Sequence, residues 1–330
     1  MKIMVTGATG RLGGLILQLL AERIQPERHT GGVRTPTECD VAADVRTPLK
    51  RDVADVRSPQ ERLITDAQTP PGRHFAHAPT HPGQLIAGVR NPEQAARLLA
   101  RGIEVRVADY DRPDTLPGGF CGINKLLLIS SSHPDDGVRL EQHSRVIHAA
   151  QEAGVKHLLY TGFAFPRPGG KDVHSLTEQR IAESGMAYTF LRSGLYTDFV
   201  EVLGLWQAMA SGELVTAPGE WRFNSVIRED LAQAMALVLA EDGHEGRSYE
   251  LAAARTWGFT ELAEVLSQHA GREVRHREDP AVQHWIYAFL AKINTGATSS
   301  DLEQLLGRQA VPLAESIKPF IRPPAELQER

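Results

Sequence analysis

Three glycines follow the first apolar stretch of the chain at a spacing that could bind a diphosphate. Gly7, Gly10 and Gly13 lie in VTGATGRLGG, between a short apolar run and a segment whose apolar residues recur at helical spacing. In a dinucleotide-binding turn, such glycines permit a tight turn, close approach of the backbone to the pyrophosphate, and close packing of helix on strand. Backbone N–H groups and the helix dipole then attract phosphate charge. The pattern predicts a cofactor site formed by Thr6, Gly7, Ala8, Thr9, Gly10, Arg11, Leu12 and Gly13.

Apolar strands alternate with amphipathic helices over most of the chain. After the glycine turn, helical patterns separate continuous apolar runs at 84–89, 103–108, 125–129, 157–161 and 187–191. This alternation is typical of a parallel sheet covered on both faces. We expect an α/β protein with a Rossmann-like doubly wound parallel sheet in residues 1–192. Residues 193–330 are expected to form a smaller C-terminal α/β lobe, partly interleaved with the first domain, over the strand ends where such sheets bind ligands.

Residues from about 27 to 82 break this alternation. The segment is rich in proline and poor in large apolar residues, so it has little with which to offset the cost of ordering the chain. We expect a mobile surface insertion. His74, His77 and His81 lie in it at near-helical spacing, but Pro79 interrupts any helix that could align them. No metal site is therefore expected.

Composition excludes several functional classes. The chain has 36 Lys and Arg against 41 Asp and Glu, a net charge of -5, and no long basic cluster, so a nucleic-acid partner is not expected. No run of about 18 apolar residues is present, so we expect no membrane span. The two cysteines are too few for a disulfide framework. These features favour a cytoplasmic protein.

Several stretches along the chain carry a family likeness. They include VTGATGRLGG, GVRNP, GIEVRVADYDRP, KLLLISSS, AAQEAGVKHLLYTG and AYTFLRSGLYTDF, and the likeness continues through HEGRSYELA and TWGFTELAEVLSQHAGREV. Together they resemble the NmrA-like atypical short-chain dehydrogenases, and among these the bacterial NAD(P)H:quinone oxidoreductases. The likeness covers nearly the whole chain apart from the insertion. It implies a Rossmann-like NADP-binding lobe, a small C-terminal lobe, and a quinone pocket between them.

Side chains after later strands are candidates for the rest of the cofactor site. Arg90 could bind the 2′-phosphate of NADP, and the acidic residue expected for NAD is missing there. The resemblance places Asp109 and Tyr110 at the adenine, although Asp109 could equally form a turn. Four residues could line the cofactor or equally be loop and core residues: Ser130, Ser131, Ser132 and Phe163. The expected cofactor is NADPH, with NADH weaker.

The proton-transfer pair of ordinary short-chain dehydrogenases, Tyr-x-x-x-Lys, does not occur in the sequence. A quinone needs no such pair, because the hydroquinone anion is delocalised and can take a proton from water. The protein then mainly positions the reactants. The resemblance places His174 near the active-site helix, where it could bond a quinone oxygen or supply a proton. Tyr196 could close over the acceptor ring; both residues could equally be structural.

The residues and the resemblance together predict an NADPH-dependent oxidoreductase that transfers hydride to a small quinone in the cleft between the lobes. Another conjugated acceptor, such as a dye, is a variant of this substrate. The alternative is an NADP(H)-binding, redox-sensing regulator without turnover. The sequence leaves the oligomeric state open, and a homodimer is compatible with it.

The tetrapeptide V-R-x-P occurs more than once, and two of its copies could each follow the strand that pairs with the first strand of the sheet. The copy with Arg34 lies at the distance from the glycine turn that we expect for the family. The copy with Arg90 follows residues 84–89, which can bury apolar side chains, whereas residues 29–33 offer two glycines and almost no apolar area. We predict that residues 84–89 pair with the first strand, that Arg90 faces the 2′-phosphate, and that the insertion loops outward.

Overall fold

The main sheet has eight parallel strands in the computed structural model, which describes residues 1–24, 33–34, 83–166, 170–293 and 295–321. Numbered in chain order, these strands are β1 (Lys2–Val5), β2 (Val33–Arg34), β3 (Gln84–Val89), β4 (Glu104–Val107), β5 (Lys125–Leu128), β6 (His157–Phe163), β7 (Ala187–Ser193) and β11 (Arg247–Leu251). Their order across the sheet is β11–β7–β6–β5–β1–β3–β4–β2. Because every neighbouring pair is parallel, all carboxyl ends lie at one edge, where ligands of such sheets bind.

Burial determines which V-R-x-P copy follows the strand that pairs with β1. β3 pairs with β1, with Ile86 opposite Met4 and both side chains buried, so this prediction is confirmed. Val33 and Arg34 do not loop outward as predicted: they form β2 at the sheet edge, paired with β4. A strand needs only backbone hydrogen bonds at an edge, so a pair of residues with little apolar area can still add there. The rest of the predicted insertion lies outside the described residues.

Helices cover both faces of the sheet, which confirms the doubly wound arrangement. In chain order they are α1 (Arg11–Arg23), α2 (Ala96–Leu99), α3 (Leu116–Phe120), α4 (Asp136–Glu152), α5 (Val173–Glu183), α6 (Leu205–Ser211), α7 (Arg228–Ala240), α8 (Phe259–Ala270), α9 (Trp285–Leu290), α10 (Asp301–Leu306) and α11 (Leu313–Ser316). One apolar core joins the sheet to α1, α7 and α10, and a second joins the opposite face to α3, α4 and α5. No described helix is long and apolar enough to cross a membrane.

The residues after β7 form a third apolar core and also extend the main sheet. Two small parallel pairs, each joined by backbone hydrogen bonds, are β8 (Leu195–Tyr196) with β10 (Ser225–Val226), and β9 (Glu213–Thr216) with β12 (Arg275–Glu278). β11 returns to pair with β7, so the later residues are interleaved with the first ones; the domain boundary itself stays a prediction. From the sequence pattern we predict one helix over 198–210, and this prediction is wrong: Gly204, with φ of 65°, separates a 3₁₀ segment, Thr197–Leu203, from α6.

Candidate functional site

The glycine turn between β1 and α1 has the space that a diphosphate requires. Gly7 has φ of 59°, and a Cβ atom on Gly13 would lie 2.5 Å from the Gly7 carbonyl oxygen, so neither position accepts a side chain without strain. A Cβ on Gly10 would meet only that same oxygen, at 3.2 Å. No side chain among the described residues caps α1 at Gly10, so its positive end can bind an anion. The turn therefore fits the diphosphate of a dinucleotide.

The other predicted residues of the turn differ in exposure. Thr9 and Arg11 are exposed, whereas the side chains of Ala8 and Leu12 are buried in the core shared by α1 and the sheet. Ala8 also donates its backbone N–H to the carbonyl of Gly88 at 3.2 Å. Only Thr9 and Arg11 therefore present side chains to a ligand, while Ala8 and Leu12 fix the shape of the turn.

Thr6 is buried and joins the ends of three strands. Its hydroxyl donates to the carbonyl of Leu127 at 2.9 Å and accepts the N–H of Ile129 at 3.0 Å. It also accepts the hydroxyl of Tyr110 at 2.5 Å, and burial raises the pKa of Tyr110, so this phenol stays protonated. Both hydroxyl groups are thus engaged within the protein and stabilise the floor of the site.

Arg90 and Asp109 follow β3 and β4 at the same edge of the sheet. Arg90 is exposed and directly follows β3, the strand that pairs with β1. Asp109 accepts the N–H of Asp111 at 3.0 Å through Oδ1, and its own N–H donates to Thr115 Oγ1 at 3.0 Å. These bonds form the turn that was the alternative role of Asp109, and its Oδ2 has no hydrogen bond to the described residues.

Ser130 and Ser131, which follow β5, bond to side chains of α4, while Ser132 is exposed. Arg139 donates from Nη2 to Ser130 Oγ at 3.0 Å, and the same nitrogen lies 3.3 Å from Nε2 of His174. Its Nη1 donates to Asp136 at 2.9 Å. Its Nε is buried and has no hydrogen-bond partner among the described residues. No motif in the sequence singles out Arg139, because only the fold brings α4 beside α5.

His143 positions the serines after β5, and its hydrogen bonds define its tautomer. Its Nε2 accepts the N–H of Ser131 at 2.9 Å, so the ring proton lies on Nδ1, 2.9 Å from Thr177 Oγ1. The Thr177 hydroxyl in turn donates to the carbonyl of Val173 at 2.6 Å. Burial and the charge of Arg139 lower the pKa of His143 to about 3. The imidazole is therefore neutral and positions the loop after β5.

His174 is also neutral, and both of its ring nitrogens face protein groups. Nδ1 lies 2.9 Å from the hydroxyl of Tyr160, and Nε2 faces Arg139. Burial and the charge of Arg139 lower the pKa of His174 to about 4. The ring of Phe163 lies 6.3 Å from that of His174, centroid to centroid. The structure thus brings together His174, Phe163 and Ser130, which the sequence predicted separately.

A buried arginine fixes α5 against the sheet. Arg192 donates to both oxygens of Glu178, at 2.9 and 2.7 Å, and to Glu250 at 2.8 Å. Glu250 also accepts the N–H of Phe165, a residue with φ of 55°, at 2.6 Å. Although burial opposes its charge, the bonds to the two carboxylates raise the pKa of Arg192. The cluster holds α5, and so His174, at the carboxyl ends of β6, β7 and β11.

Tyr196 packs against the core that joins the sheet to α1 and α7, on the face of the sheet opposite α5, and is covered by an arginine. The guanidinium of Arg228 lies 4.5 Å from the centroid of the Tyr196 ring. Arg228 also pairs with Asp198, which lies 3.5 Å from Nη1 of Arg11. Burial raises the pKa of Tyr196, so its phenol is protonated near neutral pH. No sequence signal had connected Arg228 or Asp198 with the glycine turn.

Comparisons with known proteins agree with this geometry. The sequence model of a family described as NAD(P)H-binding matches residues 72–242. Quinone oxidoreductase 2 of Escherichia coli (strain K12) is 37% identical, over 71% of this chain and 88% of the relative.

Two solved structures are similar over almost their full length. Triphenylmethane reductase of Citrobacter sp., complexed with NADP(H), has a TM-score of 0.73 and 34% identity, covering 97% of this chain and 100% of that one. The NADPH-dependent quinone oxidoreductase of Escherichia coli, complexed with NADPH, has a TM-score of 0.69 and 29% identity, with coverage of 97% and 100%. The likeness therefore includes both lobes and not the glycine turn alone.

Proposed function

The chain belongs to the NAD(P)H-binding family, and from this premise we propose that it is an NADPH-dependent oxidoreductase that transfers hydride to a small quinone. The named relatives support this assignment, since one is a quinone oxidoreductase and a second, similar structure is a reductase of triphenylmethane dyes. Both acceptors are conjugated systems that take up hydride readily. Arg90 supports NADPH over NADH, because a guanidinium at the end of β3 suits the 2′-phosphate.

One observation carries the proposal. The diphosphate-binding turn occurs together with His174, a histidine that is neutral near pH 7 and so has no proton to give as a general acid. His174 is neutral, with a pKa of about 4, and the described residues contain no tyrosine with a lysine four positions later. Alcohol dehydrogenation or sugar epimerisation requires a positioned acid or base. Quinone reduction does not, and this site is suited to it.

In this mechanism a nicotinamide held by the glycine turn would supply the hydride. The acceptor ring gains the electron pair, and one of its oxygens becomes an anion that takes a proton from water. The glycine turn and Arg90 hold the cofactor, and the Arg192 cluster fixes α5. Arg139 would stabilise the oxyanion through its positive charge, because its guanidinium lies beside Ser130 and His174. Positioning and this charge together account for the rate enhancement.

The decisive experiment measures NADPH oxidation at 340 nm by the purified chain, with and without a benzoquinone or a naphthoquinone. We expect acceptor-dependent oxidation that is faster with NADPH than with NADH. The Gly10→Val variant serves as the control for reduction without the enzyme site. Tight NADPH binding without turnover of any quinone or triphenylmethane dye would contradict the proposal and favour a redox-sensing regulator.

A further inference from the structure

Two arginines from distant parts of the chain share one carboxylate beside the glycine turn. Arg11 is the first residue of α1, and Arg228 is the first residue of α7. Asp198, in the 3₁₀ segment after β8, lies 3.5 Å from Arg11 and in direct contact with Arg228. α1 and α7 pack against each other in one apolar core, so their first residues lie side by side at the carboxyl edge of the sheet.

This cluster places two positive charges where a diphosphate would bind. Both guanidinium groups are permanently charged. Asp198 pairs with both of them, and the exposed Glu229 also acts on Arg228. The side chain of Arg11 is 80% exposed, so its ion pair with Asp198 contributes little stability. The side chain of Arg228 is only 21% exposed and lies on the ring of Tyr196, which fixes its orientation. One arginine is thus free to move, and the other is already positioned.

We propose that Arg228, together with Arg11, binds the diphosphate of the cofactor, and that Asp198 competes with the diphosphate for both guanidinium groups. The inference rests on the proposed NADPH-binding function and adds a residue from the second lobe to the cofactor site. Guanidinium groups bind phosphate oxygens in pairs of charge-assisted bonds, which are stronger than an exposed ion pair with a carboxylate. The second lobe therefore contributes directly to cofactor affinity.

Because Asp198 competes with the diphosphate, replacing Asp198 and replacing Arg228 should change the cofactor dissociation constants in opposite directions. Arg228→Ala removes a charged donor and should raise the dissociation constants for NADPH and NADH by the same factor, about 10- to 100-fold. The equal factor is expected because both cofactors carry the diphosphate, and only NADPH carries the 2′-phosphate. Asp198→Asn removes the competing charge and should lower both dissociation constants. Damage to the fold would weaken binding in both variants.

The test is a fluorescence titration of the full chain and its variants with NADPH and with NADH. Arg247→Ala, which removes an exposed guanidinium at the opposite, amino end of β11, is the matched control and should change neither constant. Unchanged binding in Arg228→Ala, or a loss confined to NADPH, would overturn the inference, as would weaker binding in Asp198→Asn. If Arg228→Ala does not fold, Asp198→Asn still decides the matter. A wild-type chain that binds neither cofactor would instead overturn the proposed function.

Discussion

Side chains around the glycine turn divide into those whose polar atoms are bonded within the protein and those that keep bonding capacity. Thr6, Tyr110 and His143 belong to the first group, since each bonds to other strands or loops. Arg90 is exposed, and Arg139 has a buried Nε without a partner among the described residues. A guanidinium is permanently charged and donates charge-assisted bonds to ligand oxygens, whereas the hydroxyl groups of Thr6 and Tyr110 already donate within the protein. We therefore expect ligand affinity to depend on the arginines more than on the hydroxyl groups.

Substitutions at Gly10 and at Gly13 should affect different properties, namely cofactor binding at Gly10 and the stability of the fold at Gly13. Gly10→Val should abolish NADPH binding with little loss of fold, because its side chain would enter the path of the diphosphate while its nearest described neighbour atom lies 3.2 Å from the added Cβ. Gly13→Ala should lower the free energy of unfolding by about 1–3 kcal/mol, because its Cβ overlaps the backbone of Gly7. Cofactor titration and urea unfolding of both variants measure the difference. Unchanged NADPH affinity in Gly10→Val would remove the turn from the site.

Arg90 should determine the preference for NADPH. Arg90→Ala should raise the dissociation constant for NADPH by about tenfold or more and leave that for NADH nearly unchanged, since only the 2′-phosphate loses its partner. Arg34→Ala, in the other copy of the tetrapeptide, is the control and should change neither constant, because β2 is separated from β1 by two strands. The assignment is wrong if Arg34→Ala erases the preference instead.

His174 should contribute to turnover by positioning groups in the site and not by transferring a proton. With a pKa of about 4, it is neutral from pH 5.5 to 8, so kcat/KM should show no titration of an enzyme group near the usual histidine value in that range. His174→Ala should lower turnover by less than about 10²-fold, the lower limit for a positioned general acid. Initial rates across this pH range test both statements, with exposed His148→Ala as control. A larger loss with normal NADPH binding would restore His174 as the acid.

The helices and strands that could be predicted from the sequence are those that local apolar pattern and burial determine. The glycine turn and β3 follow from apolar periodicity, because a central parallel strand must bury both faces. The sequence pattern likewise predicts a helix over residues 228–240, and α7 has these bounds. The break at Gly204 and the edge strand β2 were missed, since each depends on contacts distant in the chain. Arg139 and Asp198 were missed on the same grounds, as their partners are on other elements.

The placement of β3 has a measurable consequence. Ile86 is buried in the core between the sheet and α3, α4 and α5, so Ile86→Ala should lower the free energy of unfolding by about 2–5 kcal/mol. The exposed Gln94→Ala, just beyond the strand, should change it by no more than about 0.5 kcal/mol. Urea unfolding gives both values. Equal stability of the two variants would mean that residues 84–89 are not a central strand in solution.

At the scale of the whole molecule, neutral histidines are buried at separate places around the sheet. Burial lowers the pKa of His143 to about 3, and of His174 and His244 to about 4. His244 lies before β11 and bonds to Tyr249 at 2.7 Å, while His143 is part of α4 and His174 is part of α5. In the unfolded chain each would titrate near its ordinary value of about 6.5. The folded and unfolded states therefore bind different numbers of protons over a range of mildly acidic pH.

This difference should make the fold sensitive to acid. Between about pH 6.5 and 4 the unfolded chain binds protons that the folded chain does not, so the free energy of unfolding must fall as the pH falls. Each histidine contributes at most about 1.4 kcal/mol per pH unit, and the contribution is fully present only above the unfolded pKa. Urea unfolding at pH 7.5, 6.5, 5.5 and 5.0 should show the decline, and His143→Gln should make it shallower while His148→Ala, at an exposed site, leaves it unchanged. A free energy of unfolding that is constant from pH 7.5 to 5.0 would mean that these imidazoles are solvated, and the neutral state assigned to His174 in catalysis would lose its basis.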